Sequence, residues 1–125
     1  MTKTLLVIDD DDDIREIAQL ALEIGSSWKV VTAASGRDGV AAAAAHQPDA
    51  ILLDVMMPGV DGPATYELLR SDAHTSEIPV VFLTAKARPA ERERLLALGV
   101  SGVLAKPFDP MTLSDQVATL LGWQR

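Results

Sequence analysis

Residues 4–25 read TLLVIDDDDDIREIAQLALEIG. The first five form a short apolar run without alternation, which suits a strand buried on both faces. Ile14, Ile17, Ala18, Ala21 and Ile24 then recur at helical spacing, and Gly25 stands where that helix should end. Between strand and helix lie five successive carboxylates, Asp9 to Asp13. Crowded like charges raise one another's pKa. The run is therefore either a solvated helix cap or a place where some carboxylates hold a cation.

The same alternation continues along the chain. Further apolar runs are WKVVT (28–32), AILLD (50–54), PVVFLT (79–84) and GVLAK (102–106). Helical patterns separate them. Ser35 with Asp38 predicts a capping box before the alanine-rich stretch 40–45, with Pro48 beyond its end. Asp61-Gly62-Pro63 opens a third helix, and Pro89 a fourth running through Leu95, Leu96 and Leu98 to Gly99. Asp109-Pro110 reads as N-cap and N1 of a fifth, with Leu113, Val117, Leu120 and Leu121 as its apolar stripe. Such an order predicts one doubly wound α/β domain over residues 1–125, a (βα)5 parallel sheet with helices on both faces.

Composition narrows the function. A chain of 125 residues, 48% hydrophobic and 23% charged, suits one folded domain. The net charge is −7, and −2 without the five-Asp run, so the acidity is local and no basic nucleic-acid footprint exists. With no cysteine, disulfides, thiolate metal sites and cysteine nucleophiles are excluded. No run reaches membrane-spanning or signal-peptide length, which sets a cytoplasmic location as the expectation.

In open parallel sheets, ligands sit beyond the carboxyl ends of the strands. The residues there are Asp9 and Asp10 after the first run, Asp54 closing the third, Thr84 closing the fourth and Lys106 closing the fifth. Singly, each is an ordinary loop or surface residue. Together, carboxylate oxygens with one ammonium suit Mg²⁺ and a phosphoryl group. Asp54 is the natural nucleophile, since carboxylates form aspartyl-phosphates. No GxxxxGK[ST] loop is present, which argues against nucleotide binding by a P-loop.

In this order and spacing, LLVIDDDDDIREI, ILLDVMMPGVDG, VVFLTA and GVLAKPF resemble the receiver domain of two-component response regulators. The resemblance covers the whole chain and is to single-domain, chemotaxis-regulator-like members. It implies a flavodoxin-like strand order 2-1-3-4-5. It also implies that Asp54 takes a phosphoryl group from a histidine kinase or histidine phosphotransfer protein in a Mg²⁺-dependent reaction. Asp10 would bind the metal directly, Asp9 mainly through water, and the Met56 backbone carbonyl would complete the protein's ligands. Thr84 would reach a phosphoryl oxygen, Lys106 would pair with Asp54 or the phosphoryl, and Lys106–Pro107 would be cis. Lifetime-tuning positions are Met56 and Lys86, and Ala85 leaves room at the phosphoryl.

The chain departs from the family at Val103, where members usually carry a Tyr or Phe that acts with Thr84 as a switch. Output is expected through protein contacts with a downstream target, or a homodimer, on the face of the fourth helix, fifth strand and fifth helix. The domain is expected to be no enzyme beyond its own phosphorylation and dephosphorylation. Two rival readings remain. One is a phosphate-independent pseudo-receiver, which Val103 favours. The other is an Asp-nucleophile phosphatase of the haloacid dehalogenase type, whose second Asp would fall where Met56 stands. His46 and His74 read as surface residues, and Trp28 and Trp123 as covers of core edges. Opening on Met1 and a strand, the sequence is expected to start where the protein does.

Overall fold

A computed structural model describes residues 2–124; Met1 and Arg125, the ends of the expected domain, lie outside the described residues. Among the described residues are five strands: β1 Thr4–Ile8, β2 Lys29–Ala33, β3 Ala50–Asp54, β4 Val80–Thr84 and β5 Gly102–Ala105. They alternate with α1 Asp12–Ile24, α2 Gly36–His46, α3 Gly62–Arg70, α4 Pro89–Leu96 and α5 Leu113–Leu121. The sheet is parallel throughout, in the order β2-β1-β3-β4-β5. This is the doubly wound architecture expected from the sequence, flavodoxin-like in strand order.

Why the strands lack polar alternation is visible in their packing. Leu5 and Val7 of β1 belong to a core beneath α1 and α5, with Ala18, Leu22, Leu113 and Val117. Leu6 and Ile8 belong to the opposite core beneath α2, α3 and α4, with Ala43, Tyr66, Leu69 and Leu95. A parallel strand covered on both faces must be apolar at every position. At about 25 cal/mol per Å² of apolar surface removed from water, these two layers supply the main force for folding.

Helix starts follow local side-chain chemistry. Asp11 is the N-cap of α1, its carboxylate accepting from the N–H groups of Asp13 (2.9 Å) and Ile14 (3.2 Å). Asp12 and Asp13 then occupy the first turn, where negative charge favours the helix dipole. Ser35 caps α2 by accepting from Asp38 N–H, and Asp61 caps α3 by accepting from Ala64 N–H.

Three local expectations need correction. Of the predicted α1 stripe, Ala18 is buried and Ile14 and Ala21 pack against the core, but Ile17 and Ile24 are exposed, with Leu22 taking the inner position. Gly25 ends α1 as expected, its backbone in the right-handed region, and a Cβ there would meet Ser114 Oγ at 2.4 Å. Asp109-Pro110 forms a turn, Met111 N–H donating to Asp109 Oδ1 at 2.9 Å, and α5 starts three residues later than the cap signal implied, with Thr112 at its N-cap. Trp28 precedes β2 instead of opening it, and its ring meets that of Trp123 edge-on at 5.3 Å.

Candidate functional site

Parallel register brings the strand ends to one edge. Ile8 lies beside Leu53, Asp54 beside Leu83, and Thr84 beside Ala105. Asp9, Asp54, Thr84 and Lys106 thus emerge on one side of the sheet. The crevice between β1 and β3 is also where the strand order reverses, the usual ligand position in such folds.

Asp9 is fully buried and Asp54 is 4% exposed. Burying carboxylates is costly without a counter-charge. That charge is Lys106, whose Nζ lies 2.8 Å from Asp9 Oδ2 and 3.0 Å from Asp54 Oδ1. The Asp54 contact is a hydrogen bond. The Asp9 contact is an ion pair only, because Oδ2 has no hydrogen bond of adequate geometry. The ammonium therefore bridges both carboxylates, where the sequence suggested Asp54 or the phosphoryl as its partner. The Lys106–Pro107 bond preceding this turn is cis.

Burial marks Asp54. Burial lifts its carboxyl from an ordinary 3.8 to about 6; the Lys106 hydrogen bond and charge oppose this, while the Asp9 and Asp10 charges add to it. For Lys106, burial favours the neutral amine, but its close contacts with the Asp9 and Asp54 carboxylates outweigh this and the pKa rises. The site thus holds more negative charge than Lys106 offsets.

Asp9, Asp10 and Asp54 each offer a carboxylate oxygen, all within 4.8 Å of one another. Hard oxygen donors in this number fit Mg²⁺, which is commonly held by one or two carboxylates and completes its shell with other oxygens. Asp9 Oδ2, buried and held by the Lys106 ammonium at 2.8 Å without a hydrogen bond, keeps lone pairs that such a cation could take.

Other expected residues stand differently. Thr84 is buried, and its Oγ1 accepts from Lys86 N–H at 3.0 Å; its carbonyl accepts from Lys106 N–H at 2.8 Å, but its hydroxyl makes no hydrogen bond to the Asp54 or Lys106 side chains. Met56 has an exposed side chain in the loop after β3, leaving only its backbone as a ligand source. Val103 is buried with Phe82, Leu95 and Val100, so it lies inside the face between α4 and α5 and not on its surface. Only its carbonyl is engaged from outside, by Arg92 Nη1 at 2.8 Å. His46 closes α2 and His74 lies in the turns after α3, both exposed.

Two site residues escaped the sequence. Gly62, read as part of a helix start, approaches the site so closely that a Cβ would lie 2.5 Å from the Asp54 carbonyl oxygen. Arg15 donates from Nη1 to the Asp9 carbonyl at 2.8 Å. Its position in the first turn after an acidic loop was the available signal.

Comparison with known proteins agrees with this fold. Residues 5–118 match the family model described as "Response regulator receiver domain". Chemotaxis response regulator CheY4 of Vibrio cholerae superposes with a TM-score of 0.88 at 30% identity, covering 96% of this chain and 99% of that one. The N-terminal domain of a response regulator receiver protein from Methanoculleus marisnigri JR1 gives 0.79 at 32%, covering 99% and 100%. Among curated proteins, Response regulator Rre1 of Synechocystis is 38% identical over 122 residues, 98% of this chain and 53% of that protein. RpaA of Synechocystis, a DNA-binding dual master transcriptional regulator, is 38% identical over 94% of this chain and 48% of its own length. The chain thus spans about half the length of the curated relatives it matches. With fold, strand order and family model in accord over nearly its whole length, the chain belongs to the response regulator receiver domain family.

Proposed function

We propose that this chain is a phosphorylation-dependent signalling switch in which Asp54 accepts a phosphoryl group from the phosphohistidine of a sensor histidine kinase or histidine phosphotransfer protein. The observation that carries the proposal is the buried Asp9–Lys106–Asp54 arrangement, with Lys106 Nζ within 3.0 Å of both carboxylates. An Asp54 oxygen attacks phosphorus, the phosphorus–nitrogen bond breaks, and its electron pair stays on the donor imidazole. Lys106 stands beside the attacking Asp54 carboxylate, where its ammonium would offset the charge of the incoming phosphoryl oxygens, and the rigid strand ends hold the nucleophile in position. Thr84 Oγ1 accepts from Lys86 N–H, which leaves its own proton free for a phosphoryl oxygen. Asp9, Asp10, Asp54 and the Met56 carbonyl would hold Mg²⁺, which supplies further positive charge against the phosphoryl when bound.

The same reading makes residues 1–125 one cytoplasmic receiver domain. Its output is a change in protein contacts at the α4–β5–α5 face, toward a downstream target or a second copy. It turns over no external substrate beyond its phosphodonor. With Val103 packed in the core, movement of the loop after β4 is the main readout. Incubation with Mg²⁺ and acetyl phosphate or beryllofluoride tests the proposal by intact mass. An adduct on Asp54, absent in Asp54→Ala, is expected. No adduct on the wild type refutes the switch and favours a phosphate-independent interaction module.

A further inference from the structure

The acidic loop is fastened by an unequal set of bonds. Every polar atom of Asp9 has a neighbour: its N–H donates to Ala33 O at 3.1 Å, and Oδ1 accepts from Asp11 N–H at 2.9 Å. Oδ2 lies beside Lys106, and the carbonyl accepts from Arg15 Nη1 at 2.8 Å. Asp10, by contrast, is exposed and makes no hydrogen bond through its side chain, so backbone alone sets its place.

Arg15 is the residue that brackets it. One guanidinium nitrogen holds the Asp9 carbonyl before Asp10, and the other pairs with the Asp12 carboxylate after it. The Arg15 side chain is only 18% exposed while that of Asp12 is 88% exposed, so the end of the fork on the Asp9 carbonyl is the sheltered one and the Asp12 end lies at the surface. A planar fork can hold both points at once; an ammonium on a flexible stem cannot fix the same geometry.

We infer that Arg15 is a positioning residue of the cation site, whose guanidinium spans Asp10 from the Asp9 carbonyl to the Asp12 carboxylate and so fixes the three-carboxylate geometry that binds Mg²⁺. This rests on the Mg²⁺ reading given above. Charge alone predicts the opposite sign. A cation near a metal site repels the metal, so removing it should tighten binding. Positioning predicts weaker binding, because the loop that carries Asp10 is released.

Isothermal titration of the full chain with MgCl₂, well below its melting temperature, separates the two. Wild type, Arg15→Met, Arg15→Gln and Arg15→Lys are compared, so that a folding failure of one still leaves others to decide. All folded variants are expected to bind Mg²⁺ roughly tenfold more weakly or worse, the usual effect of disturbing an outer-shell contact. Arg15→Lys is included because it keeps the charge and loses the fork. Equal or tighter binding by Arg15→Met or Arg15→Gln overturns the inference, as does wild-type affinity in Arg15→Lys. If wild type itself shows no Mg²⁺ binding, the metal reading fails and this inference with it. Strong wild-type binding with unchanged variants removes only the role of Arg15.

Discussion

Asp54→Asn should make the metal-free protein more stable at neutral pH, although it removes one end of an ion pair. Asn keeps the shape of the side chain and stays neutral at every pH. The Asp54 carboxyl is raised from 3.8 to about 6 after the attraction of Lys106 is included. At 1.36 kcal/mol per pKa unit, ionising it in the folded state costs about 3 kcal/mol. Because the folded pKa lies above the unfolded one, this group's contribution to stability is intact below about pH 3.8 and lost as pH rises through about 6. The variant should therefore exceed wild type by up to about 3 kcal/mol at pH 7.5 in EDTA, roughly 10 °C in melting temperature for a chain of this size. At pH 4 the two should nearly coincide. Urea unfolding of both proteins at a series of pH values checks this. A variant less stable than wild type at pH 7.5, or a difference that does not shrink toward pH 4, refutes the account of Asp54 as a buried, over-crowded carboxylate.

Three further outcomes follow from the site. Mg²⁺ at ten times its Kd should stabilise wild type by about 1.4 kcal/mol and Asp10→Asn by clearly less; melts that ignore millimolar Mg²⁺ would contradict the cation site. Lys106→Met leaves Asp9 Oδ2 and Asp54 Oδ1 without their shared cation, so the Asp54 pKa should climb further and metal-free stability fall by about 2 kcal/mol, less than for a fully buried pair because Lys106 is 18% exposed. An NMR titration of the Asp54 carboxyl that stays in place would show that Lys106 does not set it. Gly62→Ala should cost about 1–3 kcal/mol and suppress acetyl phosphate labelling, since the new methyl meets backbone of Asp54 and Val55 that has no rotamer to escape into; unchanged labelling would show that the loop yields freely.

Much of this was legible from local signals. Strand runs without alternation are what two covered faces require, and they gave the sheet to within a residue at each end. Asp9, Asp54 and Lys106 were legible because parallel strands deliver their last residues to one edge. What escaped depends on tertiary packing. Ile17 and Ile24 fit a helical period as well as Leu22 does, and only the placement of α5 decides which side is covered. Asp109-Pro110 has the same chemistry in a turn as at a helix start. Lys106 bridging to Asp9 and Arg15 reaching the Asp9 carbonyl are side-chain trajectories, which spacing alone does not fix.

The tryptophan pair has an optical consequence. Trp28 and Trp123 are the two tryptophans of the sequence, and they meet at the amino-terminal edge of the sheet, with Lys3 Nζ 5.1 Å from the Trp123 ring centroid. Asp54 closes β3 at the opposite edge, about 13 Å from the first residue of that five-residue strand. Native emission thus gauges whether the Trp28–Trp123 contact persists, at the edge of the sheet opposite the carboxylates. A probe placed by Met56→Trp, at an exposed side chain two residues from Asp54, would give the acidic edge an emission signal of its own.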